Sequence, residues 1–271
     1  MVIESEGGFN PDEGESVSPS AWVTLKTYLP MNSTVRERKA RIDLGVRLVA
    51  HVSPVSSLVE RELDEQEWQD SWKKHFDVLH LGRRLVICPT WKEYKATVTD
   101  IVLNLDPGMA FGTGHHPTTR ACLEMLEEHV KPGTRMLDVG CGSGILSIAA
   151  AKLGAGGVVG IEIDPVGVGV ARSNVKHNGV GHAVRIIRGT LPHPAITTRA
   201  HSLVVANISA RVITELAGEI VKTVTNGGTL ITSGVVAGNR PGVEEALVSN
   251  GARIDKAVVD GDWVTIQASV E

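Results

Sequence analysis

From residue 118 to its end, the sequence alternates between short apolar runs and longer amphipathic segments. The apolar runs predict strands at 135–139, 158–163, 183–187, 202–206 and 228–233. The amphipathic segments predict helices at 118–129, 145–153, 166–177, 210–224 and 241–249. Regular alternation of this kind is typical of an α/β protein whose parallel sheet carries helices on both faces. Two strand-like runs, 252–259 and 263–269, then follow each other directly and predict an antiparallel hairpin at one edge of that sheet.

The composition limits the class of protein. With 271 residues, 42% of them hydrophobic, the chain can form one large domain, or one large and one small domain. The three cysteines (Cys88, Cys122 and Cys141) are far apart, which favours neither a disulfide framework nor a cysteine metal site and suits a reducing cytosol. No apolar run approaches the roughly 20 residues of a membrane span, and the first residues lack the features of a secretory signal. We therefore expect a cytoplasmic protein without membrane contacts.

The charge balance is mildly acidic, with 27 Lys and Arg against 31 Asp and Glu. A protein that binds nucleic acid mainly through bulk electrostatics needs an excess of positive charge. We therefore expect no direct nucleic-acid binding, although the balance of the whole chain leaves a local basic patch possible.

A glycine-rich turn follows the first strand of the alternating region. The apolar strand ends at Val139, glycines follow at positions 140, 142 and 144, and a helix begins at once. Glycine permits a sharp turn and lets a ligand approach the backbone, and the helix N-terminus presents unpaired N–H groups. Since ligands of such sheets bind at the carboxyl ends of the strands, this turn predicts a nucleotide-type site.

The glycine spacing indicates which nucleotide is bound. The dinucleotide fingerprint G-x-G-x-x-G requires a glycine where Ile145 stands, and no phosphate-binding lysine follows. G-x-G-x-G after an acidic residue is instead typical of enzymes that use S-adenosylmethionine. Gly140 and Gly142 would line that cofactor, and Asp138 would attract its ammonium group, directly or through water. The alternative role for Asp138 is to cap the turn.

Two polar residues mark the ends of neighbouring strands. Glu162 lies 22 positions after Gly140, near the spacing of about 20 at which an acidic residue holds ribose hydroxyls. Asp164, followed by Pro165, fits the cap of the next helix, although the roles of the two acids could be exchanged. Asn207 ends the strand at 202–206, where its amide oxygen could orient an amine nucleophile; the alternative is that Asn207 or Ser209 caps the following helix.

The segment 106–119 is the third unusual feature. Its glycines allow a loop that can lie over a ligand, and Thr118 and Thr119 stand where a helix begins, so either could also be a cap. The adjacent His115 and His116 raise the possibility of a metal site, but no third ligand has suitable spacing, so we expect no metal.

The region before residue 106 is less regular. A strand at 22–29 and a helix at 34–51 predict a small α+β unit over 1–60. A helix that opens at Asp64 has an aromatic face formed by Trp68, Trp72 and Phe76, and strands are predicted at 85–89 and 101–105. We therefore divide the chain into a small domain (1–60), a connector (61–105) and a large domain (106–271).

Several of these segments together resemble one family, the methyltransferases of ribosomal protein L11 (PrmA), from about Asp64 to the end of the chain. The segments that carry the resemblance are Trp72–Phe76, Pro107–Gly114, His116–Thr119, Asp138–Leu146 and Val205–Ile208. The combination is far more specific than any one glycine motif.

The resemblance implies a two-domain enzyme. A small ferredoxin-like N-terminal domain would bind the ribosomal protein, and a Rossmann-like, seven-stranded class I domain would transfer methyl groups to lysine ε-amines and to an N-terminal amine. Family positions that contact the cofactor match Thr119, Gly140, Glu162 and Asn207, and Phe111 would form a further wall of the pocket.

The sequence also departs from the family pattern. It has Glu162 where the family has Asp, His115 where the family has Thr, and Ser209 where the family has Leu. We also expect the small domain to be shortened at its start, which leaves another protein lysine or a small-molecule amine as the alternative substrate. A nicotinamide-dependent oxidoreductase and a scaffold protein without activity are disfavoured by the glycine spacing and by the intact candidate residues, respectively.

Overall fold

A computed structural model describes residues 2–5, 23–27, 29, 31, 33–56, 58–62, 77–106, 114 and 116–271. The chain forms two compact units, Met1–His75 and Phe76–Glu271. The predicted helix from Asp64, with its aromatic face, and the predicted pocket residue Phe111 lie outside the described residues. No helix among the described residues is long and apolar enough to span a membrane.

In the first unit, strands β1 (Val2–Ser5) and β2 (Val23–Lys26) pair in antiparallel fashion. Helix α1 (Val35–Ala50) follows. Strand β2 and helix α1 agree with the predicted strand at 22–29 and the predicted helix at 34–51, whereas β1 was not predicted. A ferredoxin-like arrangement is a finer prediction, which three elements do not test.

The described residues of the second unit form a three-stranded sheet, a seven-stranded sheet and five helices. Its strands are β3 (Leu79–Leu81), β4 (Leu85–Pro89), β5 (Ile101–Leu105), β6 (Arg135–Val139), β7 (Gly157–Glu162), β8 (Val184–Arg188), β9 (His201–Asn207), β10 (Val224–Val236), β11 (Ala252–Asp260) and β12 (Trp263–Val270). Its helices are α2 (Pro117–His129), α3 (Ile145–Lys152), α4 (Pro165–His177), α5 (Ala210–Thr223) and α6 (Arg240–Ser249). A short 3-10 turn precedes α6. The predicted strands and helices of this region are all present.

The order of the large sheet is β11-β12-β10-β9-β6-β7-β8. The pairs β10–β9, β9–β6, β6–β7 and β7–β8 are parallel, whereas β12 pairs antiparallel with both β10 and β11. The predicted edge hairpin and the mixed seven-stranded sheet are thus confirmed. After β8 the chain returns to the other side of β6, so a crevice opens at the carboxyl ends of β6 and its neighbours, where ligands of such sheets bind.

Apolar side chains bury both faces of the large sheet. Helices α2, α3 and α4 cover one face, in a core that includes Leu123, Ile148 and Ala171. Helices α5 and α6 cover the other face, with Ile213 and Leu247 fully buried. Each strand between them is therefore held from both sides, which fixes the positions of the strand ends.

The three-stranded sheet differs from the connector that the sequence predicted over 61–105. Its buried side chains, among them Leu85 and Leu103, belong to the same core as helices α2 to α4. The runs are short, and the helices that bury them come later in the chain, so local pattern alone gave no reason to join them to the large domain. Residues 77–105 are therefore part of the second unit.

Asn174 of α4 and Asn178, the residue that follows this helix, bind the backbone at and just after β5. Asn178 Oδ1 accepts from the N–H of Asn104 at 2.9 Å, and Asn178 Nδ2 donates to the Asn104 carbonyl at 2.6 Å. One turn earlier, Asn174 makes the same pair of bonds to Asp106 at 3.1 and 3.2 Å, and its Nδ2 also lies 2.9 Å from the Ser143 carbonyl. Asn174 therefore joins the end of β5 to the glycine-rich turn.

Candidate functional site

The glycine-rich turn lies at the centre of the carboxyl edge of the large sheet. Gly140, Gly142 and Gly144 have φ values of 71°, 52° and 80°, in the left-handed region that favours glycine. A Cβ atom on Gly140 would overlap Cγ2 of Ile208, the residue that follows β9. Both the conformation and the close contact therefore require glycine at position 140.

Asp138 lies one residue before the end of β6 and is only 1% exposed. Its Oδ2 accepts a hydrogen bond from Ser147 Oγ at 2.7 Å, whereas its Oδ1 has no hydrogen-bond partner among the described residues. Burial raises the pKa of Asp138 to about 7, against the opposing effect of the hydrogen bonds from Ser147. A buried acid with one uncommitted oxygen is suited to a cationic ligand.

Glu162 ends β7 and holds the turn in place. Its Oε2 accepts from the Gly142 N–H at 2.9 Å, and its Oε1 accepts from the Asp164 N–H at 2.9 Å. Asp164 caps α4 through the N–H groups of Val166 and Gly167. The structure thus gives Asp164 the capping role and leaves Glu162 at the crevice, where each carboxylate oxygen can accept a further hydrogen bond from a hydroxyl group.

Asn207 ends β9 and meets the first turn of α2. Its Nδ2 lies 3.3 Å from Oγ1 of Thr119, a residue that is fully buried. Its Oδ1 is buried and has no hydrogen-bond partner among the described residues. Ser209 is the N-cap residue of α5 and makes no side-chain capping bond. The alternative of a cap by Asn207 or Ser209 is therefore not observed, and the amide oxygen of Asn207 is available to a ligand.

At the start of α2, His116 contacts Trp263, and the sequence did not predict this contact. His116 is the N-cap residue, and its Nδ1 lies 2.8 Å from Thr118 Oγ1. The ring of His116 packs edge-on against Trp263, with 4.6 Å between the ring centroids. Thr118 and Thr119, predicted as possible caps, are buried instead. Trp263 opens β12, so only the position of the hairpin beside β10 brings it to this place.

A bulge in β10 supports Asn207 from the other side. Ser233 lies opposite Asn207, and its carbonyl accepts from the Ile208 N–H at 3.2 Å. The pairing of β10 with β12 shifts register between Thr232 and Val235. Gly234 within this bulge has a φ of 80°, and a Cβ atom there would overlap the Ile208 carbonyl oxygen.

Replacing Gly234 with alanine should therefore lower the free energy of unfolding by about 2–4 kcal/mol, through positive φ and a backbone clash together. Gly227→Ala is the matched control, since Gly227 lies in the same strand with a φ of 71° and no atom within 4 Å of the added Cβ. The free energy of unfolding of the control should fall by only about 1 kcal/mol. Urea unfolding measures both, and equal losses would contradict the assigned clash.

The structure brings six of the seven predicted site residues to one edge of the large sheet. Asp138 and Gly140 lie at β6, Glu162 at β7 and Asn207 at β9, and these strands are neighbours in register. Gly142 and Thr119 join through the hydrogen bonds given above, while Phe111 is outside the described residues. No group of three His, Cys, Asp or Glu in the described ranges could hold a metal ion.

These residues fit S-adenosylmethionine. The cofactor has an ammonium group, which the uncommitted oxygen of Asp138 can attract, and a ribose diol, which Glu162 can bind.

Known proteins provide a comparison for the whole chain. Residues 2–271 match the family model described as ribosomal protein L11 methyltransferase (PrmA). A relative named ribosomal protein L11 methyltransferase from Chloroflexus aurantiacus is 38% identical, over 98% of this chain and 88% of the relative. One of the same name from Desulfosudis oleivorans is 41% identical, over 89% of this chain and 80% of the relative.

A solved structure supports the same assignment. The crystal structure of the ribosomal protein L11 methylase from Lactobacillus delbrueckii subsp. bulgaricus superposes with a TM-score of 0.66 and is 33% identical in sequence. The match covers 72% of this chain and all of that one. With both sequence and structure in agreement, the chain belongs to the ribosomal protein L11 methyltransferase (PrmA) family.

Proposed function

We propose that this protein transfers methyl groups from S-adenosylmethionine to amine nitrogens of ribosomal protein L11, at lysine ε-amines, the N-terminal amine, or both. The observation that carries the proposal is the buried Oδ1 of Asn207, which has no protein partner in the described structure and lies at the same sheet edge as the glycine-rich turn. The family to which the chain belongs supports the same activity.

The cofactor would be held by residues of three neighbouring strand ends. The backbone at Gly140 and Gly142 would lie against it, Glu162 would accept hydrogen bonds from the ribose hydroxyls, and Asp138 would attract the ammonium group. Thr119 would act through its hydrogen bond to Asn207. When bound, S-adenosylmethionine supplies an electrophilic methyl group on a positively charged sulfur.

The amine must lose a proton before it can attack. A lysine amine has a pKa near 10.4 in water, and a partly desolvated site lowers that pKa so that the proton can leave to solvent. Asn207 Oδ1 then accepts one N–H of the neutral amine and turns its lone pair towards the methyl group. The N–C bond forms as the C–S bond breaks, and the rate gain comes mainly from proximity and orientation.

Substrate recognition would lie in the N-terminal part of the chain. The small α+β domain proposed for residues 1–60 falls within the first compact unit, which ends at His75. We assign it the binding of L11, with a ferredoxin-like arrangement as the proposed fold. All three cysteines are free and buried, which suits a reducing compartment and supports a cytoplasmic location.

The direct test is incubation of the purified protein with methyl-labelled S-adenosylmethionine and the ribosomal proteins of its organism, followed by mass spectrometry. Label on L11 amines is the expected result. Label on a different protein, or on a small amine only, would replace L11 as the substrate, and no transfer to any acceptor would overturn the activity.

The raised pKa of Asp138 predicts that cofactor affinity depends on pH. The ammonium group requires ionised Asp138, whose pKa is about 7 in the free protein. Lowering the pH from 8 to 6 should therefore weaken binding by about tenfold, one pKa unit being worth about 1.4 kcal/mol. Calorimetry measures the affinity, and an equally steep dependence in Asp138→Asn would exclude this residue as the cause.

The raised pKa of Asp138 also makes the stability of the cofactor-free protein depend on pH. Because the native protein holds the Asp138 proton more tightly than the unfolded chain does, the free energy of unfolding should fall as pH rises from about 4 to about 7. Asp138→Asn removes the ionisable group, so its stability should fall less over this range. Urea unfolding at pH 5 and pH 7.5 measures the difference.

A further inference from the structure

A long segment of the large domain contains no acidic residue. Between positions 165 and 214 there is no Asp or Glu, whereas the segment has six Lys and Arg and four His. The rest of the chain has 21 Lys and Arg against 31 Asp and Glu. The six cations are Arg172, Lys176, Arg185, Arg188, Arg199 and Arg211. The mildly acidic total thus conceals a strong separation of charge.

Four of these cations lie along one edge of the large sheet, with Arg188 on the face that α4 covers and Arg185 on the opposite face. Arg172 and Lys176 are exposed one turn apart on α4, and Arg185 and Arg188 are exposed on β8, the edge strand against which α4 packs. Arg172 Nη2 lies 3.1 Å from the Ile186 carbonyl of β8. We call these four residues the basic edge.

The basic edge is not neutralised by ion pairs among the described residues. Elsewhere on the surface cations pair with acids, such as Arg240 with Glu244 and Lys256 with Glu128. The acidic residue nearest in register is Glu162, opposite Arg188. Both of its carboxylate oxygens accept backbone N–H bonds in the glycine-rich turn.

Protection of an exposed sheet edge does not account for this pattern. Charged side chains on edge strands prevent unwanted pairing with other chains, but either sign of charge has that effect. The opposite edge strand, β11, carries both signs, in Arg253, Asp255, Lys256 and Asp260. Arg253 there pairs with Asp255. Lys176 lies in the last turn of α4, where a cation also stabilises the helix C-terminus, so the three arginines are the residues that favour a ligand of negative charge.

We propose that the basic edge binds the phosphate backbone of RNA. Three of its four cations are arginines, whose planar guanidinium groups suit bidentate contacts with phosphate. The acidic remainder of the chain would repel RNA and so direct it to this edge. The choice of RNA over DNA rests on the proposed function, because the proposed substrate is a protein of the ribosome, whose nucleic acid is RNA. The net charge of the whole chain predicted no direct nucleic-acid binding, and the proposal departs from that prediction at the basic edge.

The test measures the affinity for a fluorescein-labelled 30-nucleotide RNA hairpin by anisotropy, at 50 and 200 mM NaCl. The wild-type protein should bind with a Kd of roughly 1–100 µM. Arg185→Glu/Arg188→Glu should raise the Kd at least tenfold. The double change should also lower the slope of log affinity against log salt by about 2, since each phosphate that is no longer neutralised lowers it by about 1.

Lys131→Glu/Arg135→Glu is the matched control, because it reverses the same charge at exposed residues around the start of β6, a central strand of the sheet. It should change the Kd less than twofold. Lys176→Glu, an exposed change on helix α4, should weaken binding in the same direction as the strand variant.

Several results would overturn the proposal. The first is that the wild-type protein does not bind the RNA at 50 mM NaCl. The second is that the control variant and the edge variants lose RNA affinity equally. The third is that DNA or polyglutamate binds more tightly than the RNA. The circular dichroism spectrum, measured on the same samples, should stay normal, which shows that the variants are folded. Failure of RNA binding with intact methyl transfer would reject this inference and leave the proposed function standing.

Discussion

Replacing Gly140 with valine should weaken binding of S-adenosylmethionine by more than about 100-fold, a loss of at least about 2.7 kcal/mol. Position 140 has a φ of 71°, and its Cβ would overlap the side chain of Ile208. A β-branched side chain cannot adopt that φ without strain. The turn must therefore move away from the cofactor, or Ile208 must move and displace Asn207.

Gly133→Val is the control for Gly140→Val. Gly133 lies just before the same strand, has a φ of 87° and has no atom within 4 Å of an added Cβ. It should lose stability without losing cofactor affinity. Calorimetry measures binding and circular dichroism confirms folding. Normal affinity in folded Gly140→Val would show that the glycine-rich turn is not the cofactor site.

Asn207→Ala has the second large expected effect, a fall in kcat of about 100-fold with cofactor affinity changed only a few-fold. Removal of the amide takes away the acceptor that orients the amine, and a loss of this size corresponds to about 2.7 kcal/mol in the barrier. The KM for the protein substrate should change little, because most of the substrate surface is bound elsewhere. Single-turnover methylation measures the chemical step.

Thr119→Val tests whether the position of the amide matters as well as its presence. This change keeps the size of the buried side chain but removes the oxygen that accepts from Asn207 Nδ2. It should lower kcat by about tenfold, less than loss of the amide itself. If Asn207→Ala methylates at the normal rate, the amide does not orient the amine and another residue must do so.

Much of the large domain was predictable from sequence because its patterns are strong and local. The run at 135–139 coincides with β6, and the helix predicted at 210–224 ends one residue from its observed limit at Thr223. The shared location of Asp138, Glu162 and Asn207 was predictable because parallel strands bring their carboxyl ends to one edge. That rule needs only strand positions, which periodicity supplies.

What the sequence did not reveal depends on contacts between distant segments. Strand β10 begins at Val224 and not at the predicted residue 228, because Val224 already pairs with His201. Polar residues separate Val224 from the apolar run that was predicted as the strand. The contact between His116 and Trp263 joins a helix start to a strand almost 150 residues later, and no local pattern marks it. The bulge at Gly234 is equally hidden, since an isolated glycine in a strand has several uses.

The hydrogen bonds of Asn174 set a limit on how the chain can be shortened. Asn174 is 2% exposed, and its Oδ1 accepts from the backbone N–H of Asp106. A fragment that begins after Asp106 would leave Asn174 Oδ1 without this hydrogen-bond donor. Each buried polar group without a partner lowers the free energy of unfolding by about 1–3 kcal/mol. The fragment would also uncover the apolar faces of α2 to α4 that β3, β4 and β5 now cover. The smallest stable catalytic fragment should therefore begin near residue 77, ahead of the small sheet.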